Sequence, residues 1–203
     1  NKENRKIKFF YKYTDINFSK IDIIIIALPT PLKKDTPDLS YLKKCMSSLS
    51  PNLSKNQIII LESTSYPSTT NEVIVSRLNK RFIIGNNFYV GYSPEREDPG
   101  NKKYNIKNIP KIVSGKTNNC RKLVSNFYSK ICGKVELAST MEVAEMAKLF
   151  ENIFRSINIS LSNETKEICK KINIDFNEVL KLASTKPFGF MPFYPGPGVG
   201  GHC

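Results

Sequence analysis

Short runs of β-branched and aliphatic residues alternate along this chain with longer stretches of helical period, and that alternation constrains the fold more than any other feature. Residues 21–28 (IDIIIIAL) form a nearly unbroken β-branched run, the mark of a strand covered on both faces. Asp38 then caps a helix expected over 39–49 and closed by Pro51. Residues 57–62 (QIIILE) read as the next strand, followed by a Ser/Thr/Pro loop and a helix over about 70–80. Strands at 88–92 and 111–114, a helix over about 118–130 and a short strand at 134–137 complete the series. This order implies an α/β chain with a parallel sheet and right-handed crossovers.

From residue 140 to about 172 the pattern becomes one long helix containing no Gly or Pro. It exceeds a usual crossover helix, so it is expected to link two domains or to lie along a partner subunit. A further helix over about 177–184 leads into a tail, 186–203, rich in Pro, Gly and aromatic residues.

Open parallel sheets bind ligands at the carboxyl ends of their strands. Here successive strands end in Pro29-Thr30-Pro31, in Ser63-Thr64-Ser65-Tyr66-Pro67 and in Ser93-Pro94-Glu95-Arg96. Such residues make turns anywhere, but three such loops on one sheet edge read as the wall of a crevice. The long helix carries Glu145, Lys148, Asn152 and Arg155 at helical spacing, opposite Met146, Leu149, Phe150, Ile153 and Ile157. A charged stripe is ordinarily a solvated face. The sharper reading is that Lys148 and Asn152, one turn apart, converge an ammonium and an amide on one developing oxyanion. In the tail, Gly196, Gly198, Gly200 and Gly201 let backbone approach a ligand closely, and Cys203 directly after them is a candidate nucleophile. Ser114-Gly115-Lys116-Thr117 resembles the end of a phosphate-binding loop, but Pro110 stands where that motif needs its first glycine.

Composition narrows the function classes. The chain has 31 Lys+Arg against 18 Asp+Glu, a net charge of +13. The basic residues are spread along the sequence rather than massed on one stripe, which argues against nucleic acid; a codon bias that also enriches Asn and Ile explains the lysines, and a diphosphate-bearing substrate and cofactor fit the remaining charge. Five cysteines and a single histidine, with no C-x-x-C pair, support neither a zinc framework nor a disulfide scaffold, so no metal is expected. No apolar run is long enough to span a bilayer, and the first residues carry no signal-peptide core, so a cytoplasmic protein without a membrane partner is expected.

Taken in order, segments 28–32 (LPTPL), 62–67 (ESTSYP), 93–101 (SPEREDPGN), 144–152 (AEMAKLFEN) and 200–203 (GGHC) resemble the UDP-glucose/GDP-mannose dehydrogenase family over nearly the whole chain. Segment 93–101 and the tail from Lys186 look most like the branch acting on UDP-N-acetylglucosamine; the same chemistry on UDP-glucose, UDP-N-acetylmannosamine or GDP-mannose stays open. The resemblance implies a Rossmann-like sheet, NAD as cofactor, a UDP-sugar as substrate, and oxidation of its C6 alcohol to a carboxylate through a thiohemiacetal and a thioester on Cys203. It implies that Lys148 and Asn152 stabilise the oxyanions, that Glu95 serves the hydrolytic step and that Thr64 positions water. Thr30, Ser63 and Thr64 fall where the family contacts NAD. Gly196, Gly198, Gly200 and Gly201 match the loop that wraps the sugar, and Arg155 and Tyr194 are expected as further substrate contacts.

The organisation expected from this resemblance is a C-terminal part of an NAD-binding domain over 1–138, a connecting and dimerising helix over 139–172, and the start of a central all-α domain over 173–203. A homodimer or higher homo-oligomer through the long helix follows. The family opens with a Gly-x-Gly-x-x-Gly turn that holds the NAD pyrophosphate at a helix N-terminus, and no such motif occurs in this sequence. The family's aspartate four residues past the nucleophile, and its UDP-binding domain, fall beyond Cys203. The 203-residue polypeptide is therefore expected neither to bind NAD tightly nor to turn over by itself. A non-catalytic remnant or dimerisation module is the rival from another class.

Overall fold

The computed structural model describes residues 7–98, 100–101 and 103–196. In chain order these form β1 (Ile23–Ile26), β2 (Leu32–Lys33), β3 (Thr36–Pro37), α1 (Ser40–Leu49), β4 (Ile58–Leu61), a π-helical stretch Thr70–Val75 running into α2 (Ser76–Leu78), β5 (Tyr89–Tyr92), β6 (Lys111–Gly115), α3 (Asn118–Tyr128), β7 (Val135–Leu137), α4 (Met141–Lys171) and α5 (Phe176–Ala183). The chain divides into two compact units, Asn1–Lys148 and Leu149–Cys203.

In the first unit the sheet order is β1-β4-β5-β6-β7. β1, β4 and β5 run parallel, with Ile23 opposite Ile58 and Ile58 opposite Tyr89, and β6 pairs parallel with β7. The parallel sheet read from the alternation is there with one exception: β5 and β6 pair antiparallel through Gly91–Gly115 and Tyr92–Ser114. Parallel neighbours need a long crossover, usually a helix. The 93–110 connection carries none among its described residues, and the chain returns beside β5 instead of crossing over.

Alternation along β4 sorts its side chains between two cores. Ile59 and Leu61 join Leu42, Met46, Ile74 and Leu78 on the side of α1 and the π-helical segment. Ile60 points the other way, with Val113, Val124 and Tyr128 under α3. α3 sits so close to the end of β6 that a Cβ on Gly115 would lie 2.2 Å from the Arg121 backbone nitrogen. Thr117 caps α3, its hydroxyl accepting from the Cys120 N–H, so the segment resembling a phosphate loop is a strand end and a helix cap.

Two details differ from the sequence reading. The run at β1 forms the end of the described sheet, with Ile26 buried and Ile25 43% exposed, so it is not covered on both faces among the described residues. The β2–β3 hairpin was not expected. Its two-residue loop puts Lys34 (φ 49°) and Asp35 (φ 62°) in the left-handed region, a turn normally signalled by Asn-Gly.

In the second unit, α4 turns at Asn173 (φ 57°) into α5, whose N-terminus is capped by Asp175. Cys169, Phe176 and Leu180 form the core of that turn. No helix of the described residues is long and apolar enough to cross a membrane.

Gln57, at the entry to β4, pins the N-terminal segment to the sheet. Its Nε2 donates to the carbonyls of Phe18 (2.6 Å) and Ile21 (2.7 Å), and its Oε1 accepts from the Ser54 N–H at 2.8 Å. Gln57→Leu keeps the volume but strands the Ile21 carbonyl and the Ser54 N–H, and leaves the Phe18 carbonyl with only the Ile21 N–H. We expect it to lower stability by about 2–4 kcal/mol, read as a lowered urea midpoint at unchanged slope.

Candidate active site

The carboxyl ends of β1 and β4 are stitched together by side chains. The Ser63 hydroxyl donates to the Leu28 carbonyl (2.7 Å) and accepts from the Leu28 N–H (2.9 Å). The Thr30 hydroxyl donates to the Thr64 carbonyl. Thr30, Ser63 and Thr64 are therefore together on one sheet edge. Two of the three hydroxyls are engaged in holding the loops; the Thr64 hydroxyl makes no hydrogen bond among the described residues, leaving it for water or a ligand.

The loop after β4 is held from the far side by Glu145 of α4. This carboxylate is 0% exposed. Its Oε2 accepts from the Ser68 N–H at 2.6 Å, and its Oε1 accepts from the Thr70 N–H (2.9 Å) and hydroxyl (2.6 Å). Glu145 thus caps the π-helical segment from outside. Its donors also fix Ser68, whose φ of 82° is uncommon for a residue with a side chain. Asn71 donates to Glu142 one turn earlier on α4. Burial pushes the Glu145 carboxyl above its ordinary range, with the Thr70 and Ser68 donors opposing.

A second cluster surrounds Glu95. Lys111, at the start of β6 and 5% exposed, lies 3.0 Å from Glu62 Oε1 and 3.1 Å from Glu95 Oε2. Glu95 Oε1 accepts from the N–H groups of Arg96 (2.7 Å) and Glu97 (2.8 Å). Glu62 Oε1 also accepts from the Tyr128 hydroxyl at 2.6 Å. Partial burial pushes Glu95 up, but the Glu97 N–H, the Lys111 ammonium and the Arg96 N–H outweigh it and leave the carboxyl below its ordinary range. Sequence reasoning singled out Glu95 and missed Lys111, Glu62 and Tyr128.

The first two residues of the stripe on α4, Glu145 and Lys148, face inward. Glu145 is buried and Lys148 is 7% exposed, beside the core residues Met141 and Ala144, whereas Phe150 is 61% and Ile157 62% exposed. The ordinary expectation of a solvated charged face is reversed at Glu145 and Lys148. Further along, Asn152 is half-buried and accepts from exposed Arg155 at 3.1 Å. The tail hangs on the middle of the same helix. Ser162 donates to the Phe193 carbonyl (2.6 Å), the Gly196 N–H donates to Asn163 (3.1 Å), and the Phe154 and Phe193 rings meet edge-on at 5.6 Å. A cleft of about 480 Å³ lies between the tail and α4, lined by Asn158, Leu161, Phe190 and Met191 among others. Tyr194 is exposed. Gly198, Gly200, Gly201 and Cys203 lie outside the described residues. The four described cysteines are buried and free, and no metal-binding cluster occurs among the described residues.

A dinucleotide fits one side of this arrangement. Parallel α/β sheets take such a ligand across the carboxyl ends of their strands, and the pinned loops at Thr30 and Ser63–Thr64 offer that edge with a spare hydroxyl.

Sheet, strand-end loops and capping helix together define a dinucleotide-binding α/β domain followed by a helical unit. Residues 1–132 match the UDP-glucose/GDP-mannose dehydrogenase family, NAD binding domain, and residues 142–203 match the central domain of the same family. The chain belongs to the UDP-glucose/GDP-mannose dehydrogenase family. It is 42% identical to Protein CapL of Staphylococcus aureus over 99% of this chain and 47% of that protein. It is 41% identical to a UDP-N-acetyl-D-glucosamine 6-dehydrogenase of Pseudomonas aeruginosa over 100% of this chain and 48% of that protein. The solved UDP-D-ManNAc dehydrogenase of Pyrococcus horikoshii aligns with a TM-score of 0.83 at 34% identity, covering 90% of this chain and 44% of that one. The chain thus spans about half the length of the curated relatives it matches.

Glu145 and Glu95 respond to pH with opposite signs. Glu145 sits above its unfolded value, so its contribution to stability is fully present below the unfolded range and is lost as pH rises through the folded one. Glu95 sits below, so its contribution is present above the unfolded range and is lost as pH falls. Glu145→Gln turns an amide toward at least one N–H, and we expect a loss of about 1–3 kcal/mol. The gap to the parent in urea midpoint should widen from pH 7 to pH 4 for Glu145→Gln and close for Glu95→Gln.

Proposed function

We propose that the protein carrying this chain oxidises the C6 alcohol of UDP-N-acetylglucosamine to the uronate. The observation that carries the chemistry is the inward-facing start of the α4 stripe, which withdraws Lys148 from water on the same face as the Glu145 that grips the Thr64 loop. An ammonium held on that face, one helical turn from Asn152, is suited to stabilising a developing oxyanion. The choice of sugar rests on the relative named for UDP-N-acetyl-D-glucosamine, which matches this chain from end to end.

C6 gives up a hydride and its oxygen a proton, leaving an aldehyde. The Cys203 thiolate adds to that carbon, and Lys148 and Asn152 stabilise the alkoxide of the thiohemiacetal. Loss of a second hydride leaves a thioester. Water, positioned by the Thr64 hydroxyl and deprotonated by Glu95, adds to the carbonyl; the C–S bond breaks, the thiolate returns and the carboxylate leaves. NAD, held at the Thr30 and Ser63–Thr64 loops, supplies the hydride acceptor for both oxidations when bound. Arg155, Tyr194 and the glycines Gly196, Gly198, Gly200 and Gly201 hold the sugar nucleotide. We place the reaction in the cytoplasm.

A second copy of the chain covers the apolar face of α4. Met146, Phe150, Ile153, Ile157 and Leu161 recur along one side and are exposed, and a single-helix stripe is self-complementary when two copies cross about a twofold axis. Phe150→Glu in the full-length protein should convert a dimer or higher oligomer to smaller species by light scattering.

The activity test offers the full-length protein UDP-N-acetylglucosamine, UDP-glucose, UDP-N-acetylmannosamine and GDP-mannose. The highest kcat/KM is expected with the first, with two NADH per uronate, and Cys203→Ser should abolish uronate formation. Preference for UDP-N-acetylmannosamine would overturn the choice of sugar and leave the chemistry standing; no oxidation of any of the four would overturn both.

A further inference from the structure

Lys111 is buried beside Glu95, and it touches two carboxylates at once. It stands 3.0 Å from Glu62 Oε1 and 3.1 Å from Glu95 Oε2, with its ammonium 5.2 Å from the centre of the Tyr128 ring. Every element packed around Glu95 contributes to its field. Glu62 comes from the end of β4, Tyr128 from α3, Cys132 from just after α3, and Arg96 and Glu97 from the loop of Glu95 itself. Tyr128 donates to Glu62, and burial followed by that bond pushes its hydroxyl well above the ordinary range, so it stays a donor. Burial also pushes the Cys132 thiol up, so it brings no charge at neutral pH. The Arg96 guanidinium donates to the Pro110 carbonyl (2.7 Å), and the Glu97 carboxylate accepts from the Ile106 N–H (2.7 Å).

We propose that Lys111 is a positioning residue for Glu95, its ammonium fixing the carboxylate's orientation and charge, with Glu62 sharing that ammonium and so setting how strongly Glu95 is held. This rests on the reading of Glu95 as the group that serves thioester hydrolysis. Glu95 Oε1 is fixed by two backbone donors and Oε2 accepts from Lys111. A lone pair of Oε2 remains for the attacking water. Glu62 competes with Glu95 for one positive charge, and Tyr128 orients Glu62 in that competition. The three charged groups therefore form a graded device: removing Lys111 leaves two carboxylates facing each other, and neutralising Glu62 gives Glu95 the whole ammonium.

The two substitutions therefore move one observable in opposite directions, which a structural role alone does not do. In the full-length protein with UDP-N-acetylglucosamine and NAD, a single-turnover mix builds the Cys203 thioester, and its decay is followed by intact-mass spectrometry across pH. Lys111→Met should raise the midpoint of the acid limb of decay by about one to two pH units. Lys111→Arg should restore it toward the parent, and Glu62→Gln should lower it, while the amount of thioester formed stays the same. Should Lys111→Met fail to fold, the downward shift in Glu62→Gln carries the test. Midpoints unmoved in Glu62→Gln and in the folded Lys111 variants, with Glu95→Gln blocking decay, would show Lys111 to be structural and overturn the proposal. Unimpaired decay in Glu95→Gln would overturn the reading of Glu95 itself, and the role of Lys111 with it.

Discussion

Glu145 is fully buried and is held by two N–H groups and one hydroxyl at the start of a helical segment. That segment begins with backbone donors its own turns cannot satisfy, and nothing local caps it. A carboxylate from α4, far along the chain, does so instead. The capped segment starts where the β4 loop ends, so the same contact sets Ser68, and through the Thr69 hydroxyl bonds to Ser65 (2.9 Å) and Tyr66 (2.7 Å) the inner part of that loop. The outer part is fixed to β1 by Ser63 and Thr30. Thr64 is thereby held between two anchored neighbours. Hydrogen bonds made by its neighbours thus fix the backbone on both sides of it, which suits the role proposed for its hydroxyl.

Polar groups in this unit are paired in short closed sets rather than one network. Gln57 serves the N-terminal segment, Glu145 the β4 loop, and Lys111 the carboxylates at the ends of β4 and β5. Each set restrains one piece of backbone.

Much of the fold was legible because it rests on local periodicity. The strands at 58–61 and 89–92 and the helices Asn118–Tyr128 and Met141–Lys171 fall within a residue or two of where the apolar pattern puts them. The return of β6 beside β5 was not legible, since its direction depends on a helix-free connection whose path no period records. The β2–β3 hairpin was missed because Lys34-Asp35 is not the usual pair for two left-handed residues. At the site, Thr30, Ser63 and Thr64 could be grouped from the rule of strand ends, and they are together. Lys111 could not be found: a lysine opening a strand reads as a solvated edge, and its burial comes from carboxylates remote in sequence.

The orientation of α4 was the hardest feature to read, and it ties chemistry to assembly. Periodicity divides a helix into two faces without saying which one is inside, and hydrophobicity alone would turn Phe150 and Ile157 inward. In the first unit the inner face instead belongs to Met141, Ala144, Glu145 and Lys148. A helix takes that orientation only when specific donors compensate the buried charge, as Ser68 and Thr70 do for Glu145. The apolar residues are then left outside, and an apolar stripe of that length on an exposed helix marks an interaction surface. Burial of polar groups on one face thus goes with exposure of apolar groups on the other, and that exposed stripe is the surface on which the proposed association with a second copy rests.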